Sequence, residues 1–179
     1  MSSANRPSFY IDSYITELAQ GVTTSNSDPK AQQQLSQLTP KHKAILYGAS
    51  WLVQTYNVEQ ASGIIAVDQL QVLTNCKDIL EPLVGGSKNF QRLMDGDTVM
   101  LGTTPVRAMT LKKIPAHIDG VVLAIFPSEK LLSALDAQPG ITGVLVVPWQ
   151  QLNADKPVSD WISRWSAQPI VPIVNPPKP

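Results

Sequence analysis

The sequence holds a single cysteine, Cys76, and only two histidines, His42 and His117. One thiol cannot close an intrachain disulfide, and so few soft ligands speak against a zinc site. Charge is scarce as well. Asp, Glu, Lys and Arg make up 16% of the residues, below the usual quarter, and 14 basic side chains balance 14 acidic ones. Nucleic-acid binders normally carry a basic excess, whereas the densest basic cluster here is Lys41, His42 and Lys43. Nucleic acid is therefore not an expected partner. Long apolar runs are missing too. The longest, such as Gly120 to Pro127, reach about eight residues, too short to cross a bilayer. Met1 to Pro7 lacks the charged and then apolar succession of a signal peptide. The expectation is a soluble, cytoplasmic protein with no membrane association.

The familiar site signatures are absent. There is no G-x-G-x-x-G, no G-x-x-x-x-G-K-[ST] and no G-x-S-x-G. Gly85, Gly86, Ser87 and Lys88 imitate a phosphate cradle, but they follow a helical stretch rather than a strand and read as a helix stop and a turn. Cys76 falls on an apolar helical stripe, where a thiol behaves as a small hydrophobe. Asp95 and Asp97 flank Gly96 without the further ligands of a calcium loop, so a β-turn is expected there. Asp68 and Asp78 read as members of one helix that do not share a face. No metal, cofactor or catalytic set is expected from these patterns.

What is present is a strong pattern of elements. With 43% hydrophobic residues, 179 residues can bury one sizeable core. The first half reads helical. Ile11, Tyr14, Ile15 and Leu18 mark one helical face, ended by Gly21. A polar connection over 22–34 leads to a short helix near Leu35 and Leu38. Thr39 as cap and Pro40 at the first position start a helix with Ile45, Ala49, Leu52, Val53 and Tyr56 on one face. A third helix carries Val72, Cys76, Ile79 and Leu80 and stops near Pro82.

The second half changes character. An antiparallel hairpin is expected from Thr98 to Leu111. Gly120–Phe126 and Gly143–Val147 are nearly continuous apolar runs, the mark of strands covered on both faces. Between them Leu131, Leu132 and Leu135 make a helical stripe, giving a βαβ unit. Val158, Trp161, Ile162 and Trp165 mark a last helix, and a short edge strand is expected near Pro172. The expected fold is α/β: a small, mainly parallel sheet with helices on both faces, preceded by a helical N-terminal region. The best boundary separates residues 1–90 from 91–179, the two forming one compact unit.

In such sheets ligands bind beyond the carboxyl ends of the strands. Ser128 and Gln150 are expected there, with Thr103 and Thr104 if Thr98 to Leu101 is a strand of the same sheet. Trp149, just past a strand and a proline, can stack on a ligand ring or anchor a protein partner. The structural readings are equally concrete: Ser128 is a good helix cap, Glu129 suits a first turn, and Trp149 can simply pack. His117 and Asp119 can form a base and its orienting carboxylate if the backbone brings them together. Three functions follow. The first is a non-catalytic interaction or regulatory protein that meets a protein partner near Trp149 or the N-terminal helices. The second is a small-molecule or nucleotide-binding domain using the carboxyl ends of the strands. The third is an enzyme with a site near His117.

Overall fold

The computed structural model describes residues 6–12 and 39–170. They form an α/β fold built on one seven-stranded, mostly parallel sheet. The elements in chain order are β1 (Ser8–Tyr10), α1 (Pro40–Glu59), β2 (Gly63–Val67), α2 (Leu70–Asn75), α3 (Lys77–Leu83), α4 (Ser87–Asp95), β3 (Val99–Leu101) and β4 (Thr104–Thr110). A 3-10 turn (Leu111–Lys113) then leads to β5 (Gly120–Ile125), α5 (Glu129–Asp136), β6 (Ile141–Val147), α6 (Lys156–Trp165) and β7 (Gln168–Pro169). The strand order is β3-β4-β2-β5-β6-β1-β7, and only the β3–β4 pair is antiparallel. No described helix is long and apolar enough to cross a membrane.

The continuous apolar strands are buried on both faces, as their composition requires. Along β5, Val121, Leu123 and Ile125 enter one core layer, while Val122 and Ala124 enter the other. Ile65 and Val67 alternate with Ile64 and Ala66 in β2 in the same way. One layer is closed by Ile45, Ala49 and Leu52 of α1 and by Leu73, Leu80, Phe90 and Leu93 of α2, α3 and α4. The other is closed by Leu131, Leu132 and Leu135 of α5 and by Val158 and Trp161 of α6.

Several expectations need correction. The first half is not only helical: β1 and β2 come from it, β2 lies at the centre of the sheet, and the sheet draws strands from both sides of residue 90. Asp68 is not on a helix but directly follows β2. The third helix is two, α2 and α3, meeting at Cys76, and α4 begins where only a turn was read. Asp95 ends α4, with Gly96 as its left-handed cap, where a β-turn is expected from the sequence. Ile11 is buried directly after β1 and donates its N–H to the Val146 carbonyl at 3.0 Å. The helix expected through Tyr14 and Leu18, the connection and helix that follow to Leu38, and the strand near Pro172 lie outside the described residues. A strand does occupy that end of the sheet: β7 is the edge beside β1.

The hairpin and the βαβ unit occur as read. β3 and β4 are joined through Gly102 and Thr103. Thr39 Oγ1 accepts the His42 N–H at 3.3 Å at the start of α1, with Pro40 in its first turn.

The connections define where a site can form. β2 leaves through α2, α3 and α4 on one face and returns as β4. Its neighbour β5 leaves through α5 on the opposite face and returns as β6. Adjacent strands whose connections diverge leave a crevice at their carboxyl ends.

Candidate functional site: an aromatic cleft at the carboxyl ends of the strands

Asp68 follows β2, and Phe126, Pro127 and Ser128 follow β5, so the two strand ends meet at the crevice. Asp68 accepts the Ser128 N–H at 2.7 Å through Oδ2 and the Ser128 hydroxyl at 2.5 Å through Oδ1. The Ser128 Oγ in turn accepts the Leu131 N–H at 3.3 Å. Ser128 therefore caps α5 and ties its first turn to β2. With its hydroxyl proton committed to Asp68, it offers little to a ligand.

Beside this clamp, Phe126 and Trp149 meet edge to face, 4.9 Å between ring centroids at 81°. With Val72 and Asn75 of α2 they line a cleft of about 260 Å³. Trp149 is 54% exposed. Lys41, in the first turn of α1, places its ammonium 3.4 Å from the Trp149 ring centroid and 5.9 Å from that of Phe126. Among the described residues Lys41 has no ion pair, and the Asn75 side-chain donors have no partner.

Phe126 is also strained. Its φ is +51°, a left-handed conformation that a bulky residue rarely adopts. The conformation is held by its N–H, which donates to the Val147 carbonyl at 2.8 Å. The turn lets the chain leave β5 while the ring lies against Trp149 at the cleft.

The other sequence candidates are dispersed. Gln150 is exposed and donates from Nε2 to the Ala154 carbonyl at 2.7 Å, bracing the loop after β6. Thr103 lies in the β3–β4 turn and donates to Asn57 Oδ1 at 3.2 Å. Thr104 begins β4, fully buried, and its hydroxyl has no partner. Because β3 runs antiparallel to β4, this turn lies at the amino end of β4, opposite Ser128. His117 Nε2 and Asp119 Oδ1 are 2.9 Å apart, so the pair does meet. Both side chains are mostly exposed, do not line the cleft, and lie before β5, about 20 Å from Ser128 by strand rise. Cys76 is buried, and burial pushes its thiol up to about 11, so little thiolate exists at neutral pH.

Sequence reasoning missed Lys41, Phe126, Asn75 and Val72 as site residues. The available signals were the small basic cluster at the start of α1 and a bulky aromatic just before Pro127 at the end of an apolar strand. Among the described residues no group of three or more His, Cys, Asp or Glu is placed to hold a metal ion. No protein-family model, curated protein or solved structure matches this chain.

Proposed function

We propose that this chain is a non-catalytic interaction protein with a Rossmann-like scaffold, and that the cleft around Trp149 is its recognition surface. The observation that carries this reading is the strained Phe126 presented to a half-exposed Trp149 at the crevice. Left-handed backbone at a bulky residue costs about 1–3 kcal/mol and persists where the surroundings, often at functional sites, demand it. The four lining residues supply two aromatic rings, one aliphatic chain and one amide, with no acid, base or nucleophile. At about 260 Å³ the cleft is smaller than the roughly 300–1,000 Å³ that enclose a whole drug-sized ligand, but it admits one side chain. The fitting occupant is a segment of a partner protein that inserts an apolar side chain and sets an Asp or Glu against the Lys41 ammonium. Trp at the centre of such a contact is a common source of affinity.

A photo-crosslinking residue at position 150 tests this. A specific crosslinked partner is expected, lost in Trp149→Ala and weakened in Lys41→Gln. A crosslink unchanged by both substitutions would sink the reading.

The position of the cleft, at the divergence of β2 and β5, favours a second reading: a small planar anion that stacks between Asn75 and Trp149 and pairs with Lys41. A thermal-shift panel of nucleotides, dinucleotides and sugar phosphates separates the two. A ligand at 100 times its Kd should stabilise by about 2.7 kcal/mol, and Trp149→Ala should abolish that gain.

A further inference from the structure

A second cleft, of about 250 Å³, opens at the carboxyl end of β4. It shares only α2 with the first: Leu70 lines this one, Val72 and Asn75 the other. We propose that it is a binding site for a small anion carrying a carboxylate or phosphate group, held by Arg107 and Lys113.

The site is built by the mismatch in strand length at the sheet edge. β3 pairs with β4 only as far as Val106. From Arg107 to Thr110 the outer side of β4 has no strand beside it among the described residues. The end of α4, Met94 and Asp95, and the 3-10 turn that carries Lys113 stand around this gap.

Arg107 projects from backbone fixed by its pairing with Ile64 of β2. Its side chain is half-buried, yet it makes no hydrogen bond or ion pair among the described residues, and neither does Lys113. A guanidinium carries five N–H donors in a rigid fork that matches two oxygens of a carboxylate or phosphate. Here the fork is rooted on a fixed strand and unmatched. One carboxylate, Asp95, lines the same cleft. It accepts the Gln91 Nε2 hydrogen bond at 3.1 Å and forms no ion pair with Arg107. Two cations against that single carboxylate leave the lining positive. Leu70 and Met94 add apolar wall. The volume corresponds to about eight waters, which suits a compact organic anion or phosphate ester and not a nucleoside polyphosphate.

The test is an NMR titration of the whole, isotope-labelled protein with inorganic phosphate and, separately, with succinate. Saturable shifts of the Arg107–Thr110 amides are expected with at least one probe, and the preferred probe tells phosphate from carboxylate. Arg107→Gln should weaken binding about tenfold or more and Lys113→Gln by less, because a bidentate charged contact outweighs a single exposed one. Lys156→Gln, which removes an exposed cation paired with Asp160, should change nothing. No saturable shift with either probe up to about 20 mM, a Kd bound worth only about 2.3 kcal/mol, would overturn the proposal. So would equal binding by the wild type, Arg107→Gln and Lys113→Gln. If Arg107→Gln does not fold, the exposed Lys113→Gln decides. Neither result bears on Trp149, so this site and the aromatic cleft stand or fall separately.

Discussion

At Gly120, where β5 begins, a Cβ would sit 2.2 Å from the Ser62 carbonyl oxygen, and φ is +124°. At Phe126, where β5 has ended, a large side chain occupies a backbone conformation that favours glycine. The contrast extends to the whole sheet. At the amino end Gly140 lets the Ile118 carbonyl approach to 2.1 Å from where its Cβ would be. Nearby Asp136, in the last turn of α5, accepts from Arg6 at 2.5 Å, from Trp161 Nε1 at 3.1 Å and from Arg164 at 3.3 Å. Arg6 also donates to the Leu135 carbonyl at 3.1 Å and lies 4.2 Å from the Trp165 ring centroid. Burial lowers the Arg6 pKa, and the opposing pull of the Asp136 charge and hydrogen bond offsets this only in part. A carboxylate at a helix C-terminus opposes the macrodipole, so the two arginines are what make Asp136 tolerable there. One end of the sheet is tied by close backbone and the largely buried Arg6–Asp136 ion pair. The other is left with clefts, an unpaired lysine and an unmatched arginine. Alternation of parallel strands and helices makes this division natural, because the helices that lead into parallel strands return to the amino end, whereas α4, which leads into the antiparallel β3, ends at the carboxyl end of β4.

The largest effect that would test this division is Gly120→Ala. Overpacking against backbone and a left-handed alanine together should destabilise by about 4 kcal/mol, a Tm loss of roughly 8–16 °C in calorimetry. A loss under 1 kcal/mol would mean the amino end is looser than described. Asp136→Ala should follow at about 3 kcal/mol, since it strands the buried Arg6 charge. A double-mutant cycle with Arg6→Met should recover much of that loss, and strict additivity would deny the coupling. At the carboxyl end the effects shrink. Ser128→Ala should cost about 1 kcal/mol in urea unfolding, as the cap of α5 is lost. Phe126→Gly should change stability least, within about 1 kcal/mol, because lost ring contact is offset by relieved strain. The same variant should lose partner crosslinking at position 150. A strongly destabilised Phe126→Gly that still crosslinks would reverse the assignment of that end as the functional one.

How much of this was legible in the sequence depended on length and on locality. β5, α5 and β6 were readable because their apolar runs are continuous and bounded by Pro127 and Pro148. The Thr39–Pro40 start of α1 was readable because capping is decided by neighbours in the chain. β2 is as apolar as β5, but its five residues lie between helical stretches with no proline to frame them. β1 has three residues, Ser8, Phe9 and Tyr10, too few to show any period, and its place is set by β6 and β7. The cleft was half visible. Trp149 and the importance of the strand ends followed from the βαβ pattern. That Lys41 lies over Trp149 depends on α1 running back across the sheet, and nothing in a phenylalanine announces a left-handed φ. Thr103 and Thr104 are expected at the strand ends if β3 joins the sheet; it does, but antiparallel to β4, so membership of the sheet alone does not bring them to the carboxyl end.

The place of β1 also orders the assembly of the protein. β2 to β6 are paired in one run without it, so a five-stranded sheet can form from residues 63–147 alone. β1 then has to be recruited from far upstream: Arg6 reaches Asp136 across 130 residues. β7 pairs with no described strand but β1, so it docks only after β1 has arrived. During synthesis the segment around Ser8–Tyr10 therefore waits, unpaired, until β6 has left the ribosome. Closing so long a loop is slow and concentrates folding risk in the last step. Deleting β1 should thus release β7 as well, opening one side of the sheet at β6 while leaving β2 to β5 in place.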